Sequence, residues 1–431
     1  MSFLRKALLV NTTEFICLVL GIGQTVVLSR VLGPSGIGQY AVINSAMMLA
    51  VQVFAIGFPF SFLYHSQRDP EKTSEYLINT VYATVFLGIF GGIVLCTLVY
   101  YKAAYFGKVH WFVLLGLIFS VPITLQRVVT RNILLLKIQA RRLSMMRIIT
   151  ILSSFLTILI FSFFGLLNVS LALICIIFAS LTATVFGWST TSDHLDFSKH
   201  PSFGLSLKLG FMGFRQSWVE LMVVINAQIS ILIIKYLMDD FESVGYYSRG
   251  LRIAMLVVTT GQAIMPLLLS KWAAFPKEGL SRHVEKIMRV GGSFALIIII
   301  GILLCGKWMI FLLYGKEYLP AVMPMMILLP GTVLYLLSNT LMVLLGGRGM
   351  PEVSAFFLFM SSAITAGLSF YLIPNGGIAG AALASTIGNI ALLFGLILFV
   401  KRKFGVRARR CFFVTKNDFF SIKKELLRQK K

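Results

Sequence analysis

A chain of 431 residues with 58% hydrophobic and only 13% charged side chains departs from soluble domains, in which about a quarter of residues carry charge. Its mean hydropathy of +0.87 and its many apolar runs, each long enough to span about 30 Å of hydrocarbon, exclude a soluble fold. The net charge of +23 would point to nucleic acid in a soluble protein. In a membrane chain the positive-inside rule and attraction to anionic lipid explain it, so membrane lipids are expected as partners and nucleic acid is not.

The apolar runs are continuous rather than alternating, so the spans are helices and not barrel strands. Arg5 and Lys6 precede the first run as in a signal peptide, but Asn11-Thr12-Thr13-Glu14 interrupts it and no small-residue cleavage site follows. The segment reads as an uncleaved first helix. From Val26 to Tyr40, Gly33, Pro34, Gly36 and Gly38 mark a sharp turn between two spans. Twelve spans are expected, at about 8–32, 37–63, 76–101, 109–129, 147–167, 169–190, 207–235, 243–270, 286–313, 319–346, 353–374 and 376–400. Most of the 39 basic residues flank the N-terminus, the connections after even-numbered spans and the tail, which places both termini in the cytoplasm. Arg127, Arg131, Arg141, Arg142 and Arg147 follow this topological pattern. The five cysteines are scattered and show neither zinc spacing nor a disulfide framework.

Shifting the sequence by 207 lays Ile37-Gly38-Gln39-Tyr40 over Val244-Gly245-Tyr246-Tyr247, Met48-Leu49 over Met255-Leu256, and Pro59 over Pro266. Six spans per repeat give both halves the same orientation, hence a parallel duplication about an axis along the membrane normal. The expected architecture is all-α and polytopic: a six-helix bundle at 1–200, a second at 201–402, a central cleft, and a basic tail at 403–431 lying along the inner leaflet.

Glu14 and Glu220 fall at nearly equivalent repeat positions, roughly 12–18 Å along their spans at about 1.5 Å per residue. A carboxylate facing lipid there costs several kcal/mol, so both are expected to face the cleft as ion-coupling groups or to hydrogen-bond to neighbouring helices. Arg215, Arg249 and Arg252 offer forked contacts to phosphate oxygens or snorkel to headgroups. Asn11 and Asn226 are candidate hydrogen-bonding neighbours of these carboxylates, and Gln228 is a further polar candidate in the same span as Glu220. No phosphate-binding loop, metal-ligand cluster or catalytic constellation occurs, so neither a cofactor nor an enzymatic reaction is expected.

The segment LSRVLGPSGIGQYAV resembles the first-loop signature of polysaccharide flippases of the Wzx type, in the multidrug/oligosaccharidyl-lipid/polysaccharide exporter superfamily. VGYYSRGLRIAML at 244–256, LLYGKEYLPAVMPMMILLPG at 312–331, GGRGMPEVSAFF at 346–357 and LIPNGGIAGAALASTIGN at 372–389 resemble later signatures in the same order. The resemblance implies a twelve-helix, two-lobe, MATE-like transporter of the bacterial inner membrane. It would move a polyprenyl-diphosphate-linked oligosaccharide, such as an O-antigen unit for lipopolysaccharide, to the outer leaflet alongside other membrane proteins of polysaccharide assembly. A cation-coupled multidrug exporter and an integral-membrane glycan polymerase or ligase are the rival readings; the latter calls for a large outer loop, and every expected outer loop is short.

Overall fold

The computed structural model describes residues 3–137, 139–191, 200–262, 264–276, 278–407 and 411, the side chains of 3–11, 215, 216, 266 and 267 excepted. The described secondary structure is helical, with no strand among these residues. In the first part of the chain lie α1 (Phe3–Ala55), α2 (Phe58–Arg68), α3 (Thr73–Tyr101), α4 (Ala103–Phe106), α5 (Trp111–Leu136), α6 (Ala140–Phe163), α7 (Val169–Thr191) and α8 (Phe203–Met238). There follow α9 (Phe241–Ala254), α10 (Leu256–Gln262), α11 (Met265–Ala274), α12 (Leu280–Tyr314), α13 (Val322–Gly347) and α14 (Pro351–Phe404).

Nine helical stretches among the described residues are long and apolar enough to cross a membrane. Large apolar side chains stand outward on them: Phe86 is 75% exposed, Trp308 72% and Leu304 76%. Such surfaces are stable in hydrocarbon and not in water, so this is a multi-pass membrane protein. Two of the nine stretches are kinked, α1 at Gly33 (φ 66, ψ 177) and α14 at Gly377 (φ 54, ψ −139). The Gly33 backbone lies in a region essentially restricted to glycine, and Pro34 then fixes φ for the helical restart. The turn expected from 26–40 is therefore this kink, with Arg30 Nε donating to the Leu313 carbonyl at 3.2 Å just before it.

Two expected spans are not single helices. The run 37–63 breaks at Ile56 (φ 42) and Gly57 (φ 71), after which α2 restarts with a proline in its first turn. The cause is a crossing with α8: a Cβ on Gly57 would run into the Gly213 carbonyl. Apolarity continues through the break, so hydropathy does not reveal it. The run 243–270 is likewise divided into α9, α10 and the start of α11.

Element boundaries carry the expected duplication. α2 and α3 begin at Phe58 and Thr73; α11 and α12 begin 207 residues later, at Met265 and Leu280. α5 and α6 begin at Trp111 and Ala140, and α13 and α14 begin 211 residues later, at Val322 and Pro351. The Gly33 kink corresponds to the α8–α9 break, where Asp239 is left-handed (φ 49) and Asp240 accepts from the backbone N–H groups of Glu242 (2.9 Å) and Ser243 (2.8 Å). Burial alone would raise the Asp240 carboxyl, but these bonds and that of the Ser243 side chain hold it below the usual carboxylate range.

By internal contacts the chain forms two compact units, residues 1–248 with 313–317, and 249–312 with 318–431. In the first, α1 packs on α3, α6 and α8, α5 on α3 and α7, and α6 on α7. In the second, α13 packs on α10, α11 and α14. The glycines marked by the repeat make a reciprocal contact inside the first unit. A Cβ on Gly38 would strike the Phe241 carbonyl, and a Cβ on Gly245 would strike the Pro34 carbonyl. Residues 34 and 241 are themselves 207 apart, so the contact has two-fold symmetry.

Gly57→Ala meets both a clash and a positive φ, whereas Gly33→Ala has no carbonyl in its way. Each left-handed or mirror-region alanine costs about 1–3 kcal/mol. Gly57→Ala is expected to lower the melting temperature of the detergent-solubilised protein further than Gly33→Ala, followed by tryptophan fluorescence. The reverse order would show that the α2–α8 crossing relaxes freely.

Candidate functional site

The sequence of α6, ARRLSMMRIITILSSFLTILIFSF, places Arg147, Thr150, Ser154 and Thr157 at i, i+3, i+7 and i+10, on one helical face. The first half of α1 packs alongside and supplies the complementary groups. Glu14 Oε1 forms an ion pair with Arg147 Nη1, and Gln24 Nε2 donates to Ser154 Oγ at 2.9 Å. Next to them Ser153 Oγ and Thr182 Oγ1 of α7 share a hydrogen bond of 2.9 Å. Thr150 and Thr157 also donate to carbonyls one turn back, at 2.8 Å each. Arg147 is the eighth residue of α6, about 10 Å along its axis. The pair is not sealed: the Arg147 side chain is 53% exposed and that of Glu14 38%.

The second half of α1 forms another polar seam, with α8. Ser45, Met48 and Gln52 share one face of α1. Ser45 Oγ donates to Gln228 Oε1 at 2.8 Å, Gln228 Nε2 lies 3.5 Å from Met48 Sδ, and Gln52 Nε2 donates to Glu220 Oε2 at 3.2 Å. Ser45 is buried while Glu220 is exposed, so the seam runs from the interior to an open surface of the unit.

The expected site residues distribute as follows. Glu14, Glu220 and Gln228 join these seams, and Asn226 is half-buried on α8. Glu14 meets Arg147, which sequence reading assigns to topology alone. Arg249, 6% exposed, and Arg252, exposed, are three apart on α9 and belong to the second unit. The side chains of Asn11 and Arg215 lie outside the described residues. Arg147, Gln24, Ser154, Ser45 and Gln52 were legible only through their three-and-four spacing inside apolar runs. Among the described residues no group of three His, Cys, Asp or Glu side chains is arranged to hold a metal ion. The second unit contains an almost wholly apolar cavity between α12 and α13, closed in part by Cys411.

Residues 27–323 match the family model described as polysaccharide biosynthesis protein. An uncharacterized membrane protein of Methanocaldococcus jannaschii is 25% identical over 148 residues, 33% of this chain and only 28% of that protein. The fold is similar to an inward-facing multidrug-resistance transporter of the MATE family in the MOP superfamily (TM-score 0.74, 14% identity, 92% of this chain and 98% of that one). It is equally similar to the lipid II flippase MurJ in an inward-closed conformation (TM-score 0.74, 16% identity, 91% and 87%). A third match is a MOP-superfamily transporter of Pyrococcus furiosus described as having a binding pocket of reverse polarity (TM-score 0.70, 14% identity, 92% and 95%).

Ser45→Ala would leave Gln228 Oε1 without the hydroxyl donor that now meets it. The variant is expected to lose about 1 kcal/mol of stability, read as a lower thermal midpoint in detergent. An unchanged midpoint would mean that the seam is not a structural tie.

Proposed function

The chain belongs to the polysaccharide biosynthesis protein family, and we propose that within it the protein is a flippase for a polyprenyl-diphosphate-linked oligosaccharide. The observation that carries this reading is the alignment of carboxylate, amide, hydroxyl and guanidinium groups along both halves of α1, at depths where an apolar helix has no use for them. The amides of Asn226 and Gln228, with Asn11, match the donors and acceptors of a sugar. Guanidinium groups match diphosphate oxygens through forked, charge-assisted bonds; Arg249 and Arg252, with Arg215, are assigned that part. Glu14 and Glu220 are the carboxylates available for ion coupling.

The fold is shared equally with MurJ, itself a lipid II flippase, and with a multidrug-resistance transporter, so the choice of a lipid-linked anion over a cationic drug rests on the family match and on the guanidinium groups. The mechanism is alternating access: polar headgroup carried through the protein, lipid tail left in the bilayer, and halves 1–200 and 201–402 rocking about the repeat axis. In this reading the protein sits in a bacterial inner membrane with both termini and the 403–431 tail in the cytoplasm. It works beside the enzymes of surface polysaccharide assembly, with an O-antigen unit as one candidate cargo.

Each charge-assisted contact to phosphate contributes roughly 1.5–3 kcal/mol. The Arg249→Ala/Arg252→Ala double variant is therefore expected to reduce surface glycan by tenfold or more in a complemented deletion strain, with membrane abundance of the protein unchanged. Unaltered glycan would remove both arginines from the site. Altered drug susceptibility with normal glycan would favour the multidrug-exporter reading.

A further inference from the structure

The ion pair between Glu14 and Arg147 is not explained by what the two halves of the chain share. The hydroxyl face of α6 recurs at the 211-residue offset: Thr150 and Ser154 correspond to Ser361 and Thr365 of α14, both buried. There the face serves packing, since Ser361 Oγ donates to the Gly388 carbonyl and a Cβ on Gly388 would run into Thr365. At the same offset Arg147 corresponds to Leu358, which is fully buried. At the 207 offset Glu14 and Gln24 correspond to Leu221 and Ile231. In exact register the second half thus holds apolar residues, its carboxylate Glu220 standing one place away from Leu221 and no cation standing at Leu358, so the paired cation is the addition of the first half.

Exposure decides what the addition is suited to. A sealed ion pair has paid its desolvation cost and meets no competitor, whereas an open one stays accessible to other ions. Here about half of the Arg147 side chain and over a third of that of Glu14 are open. A carboxylate occupies one edge of a guanidinium, and a diphosphate oxygen can take that same edge with a higher charge and a matching fork. Beyond the pair the polar groups turn inward, Gln24 to the buried Ser154 and Ser153 to Thr182, so the open charged end of the seam is at Arg147 and Glu14.

We infer that Arg147 is a diphosphate-binding residue and that Glu14 is its resident counter-ion, displaced when the anion arrives. The inference deepens the flippase reading and rests on it, and it places the first contact at the start of α6, apart in the chain from Arg249 and Arg252. Glu14 then acts as a selectivity element: it keeps Arg147 from holding monovalent anions and yields to a multivalent one.

The test is binding of geranylgeranyl diphosphate to purified full-length protein in nanodiscs, with inorganic pyrophosphate and phosphatidylglycerol as competitors. It compares wild type, Glu14→Gln, Arg147→Ala, Arg147→Lys and the Glu14→Gln/Arg147→Ala double variant. Displacement predicts that Glu14→Gln binds about tenfold more tightly while melting at the same or a lower temperature. Arg147→Ala is expected to bind at least tenfold more weakly, Arg147→Lys in between, and the double variant like Arg147→Ala. Pyrophosphate should compete and phosphatidylglycerol should not.

A purely structural pair predicts the opposite sign for Glu14→Gln, weaker binding together with a lower melting temperature, and that result overturns the inference. Wild-type binding left unchanged by every substitution overturns it too, while sparing the flippase reading. Equal competition by phosphatidylglycerol assigns the site to a lipid headgroup and overturns the substrate assignment. Absence of binding by all five proteins overturns the diphosphate reading itself, and this inference with it.

Discussion

In hydrocarbon no water repairs a broken helix, so any interruption of α1 must be made by a backbone that can turn and still find its hydrogen bonds within protein. Gly33 and Pro34 meet that demand together, one by adopting a mirror-region conformation, the other by needing no N–H partner at the restart. The kink gives one helix two independent faces. Its first half meets α6 through Glu14 and Gln24, and its second half meets α8 through Ser45, Met48 and Gln52. A straight α1 could not line both seams, and without Gly38 it could not touch the Phe241 carbonyl that fixes the kink against α9.

The duplication was legible because its markers are residues with backbone work to do. Gly38 and Gly245 face each other's turns, so Gly and its neighbours survive where apolar residues interchange freely. The breaks at Ile56–Gly57 and within 255–264 were not legible, since apolar residues run through them and the cause at Gly57 is a distant contact with Gly213. Arg147 was hidden differently. It belongs to a cluster of basic residues whose number is explained by membrane orientation, and only its register with Thr150 and Ser154 separates it from them. Charge counting sums over a loop, whereas a binding face is a matter of register.

The two seams also differ in chemistry. Between α1 and α6 the charges are opposite and paired, the arrangement on which the proposed exchange with an anion rests. Between α1 and α8 a single carboxylate meets amides and a hydroxyl, an arrangement suited to neutral polyols. A lipid-linked glycan carries both kinds of group, joined in a fixed order. Under the proposed flippase function, the two chemically distinct faces of one kinked helix would read that order.

The reciprocal contact of Gly38 with Phe241 and Gly245 with Pro34 bears on the protein's ancestry. It is an isologous contact, the kind that two identical subunits make across a dimer axis. A half-length chain with this turn would have assembled with itself through the same surface, and gene fusion would have preserved the contact inside one polypeptide. Fusion frees what a homodimer cannot vary, because in a homodimer every charge appears twice. Arg147 against Leu358 is one such difference, while Glu14 stands against Leu221 with Glu220 one place away. The symmetric contact ties the α1 kink to the start of α9 within the first unit, and the exact-register positions 14 and 147 no longer obey that symmetry.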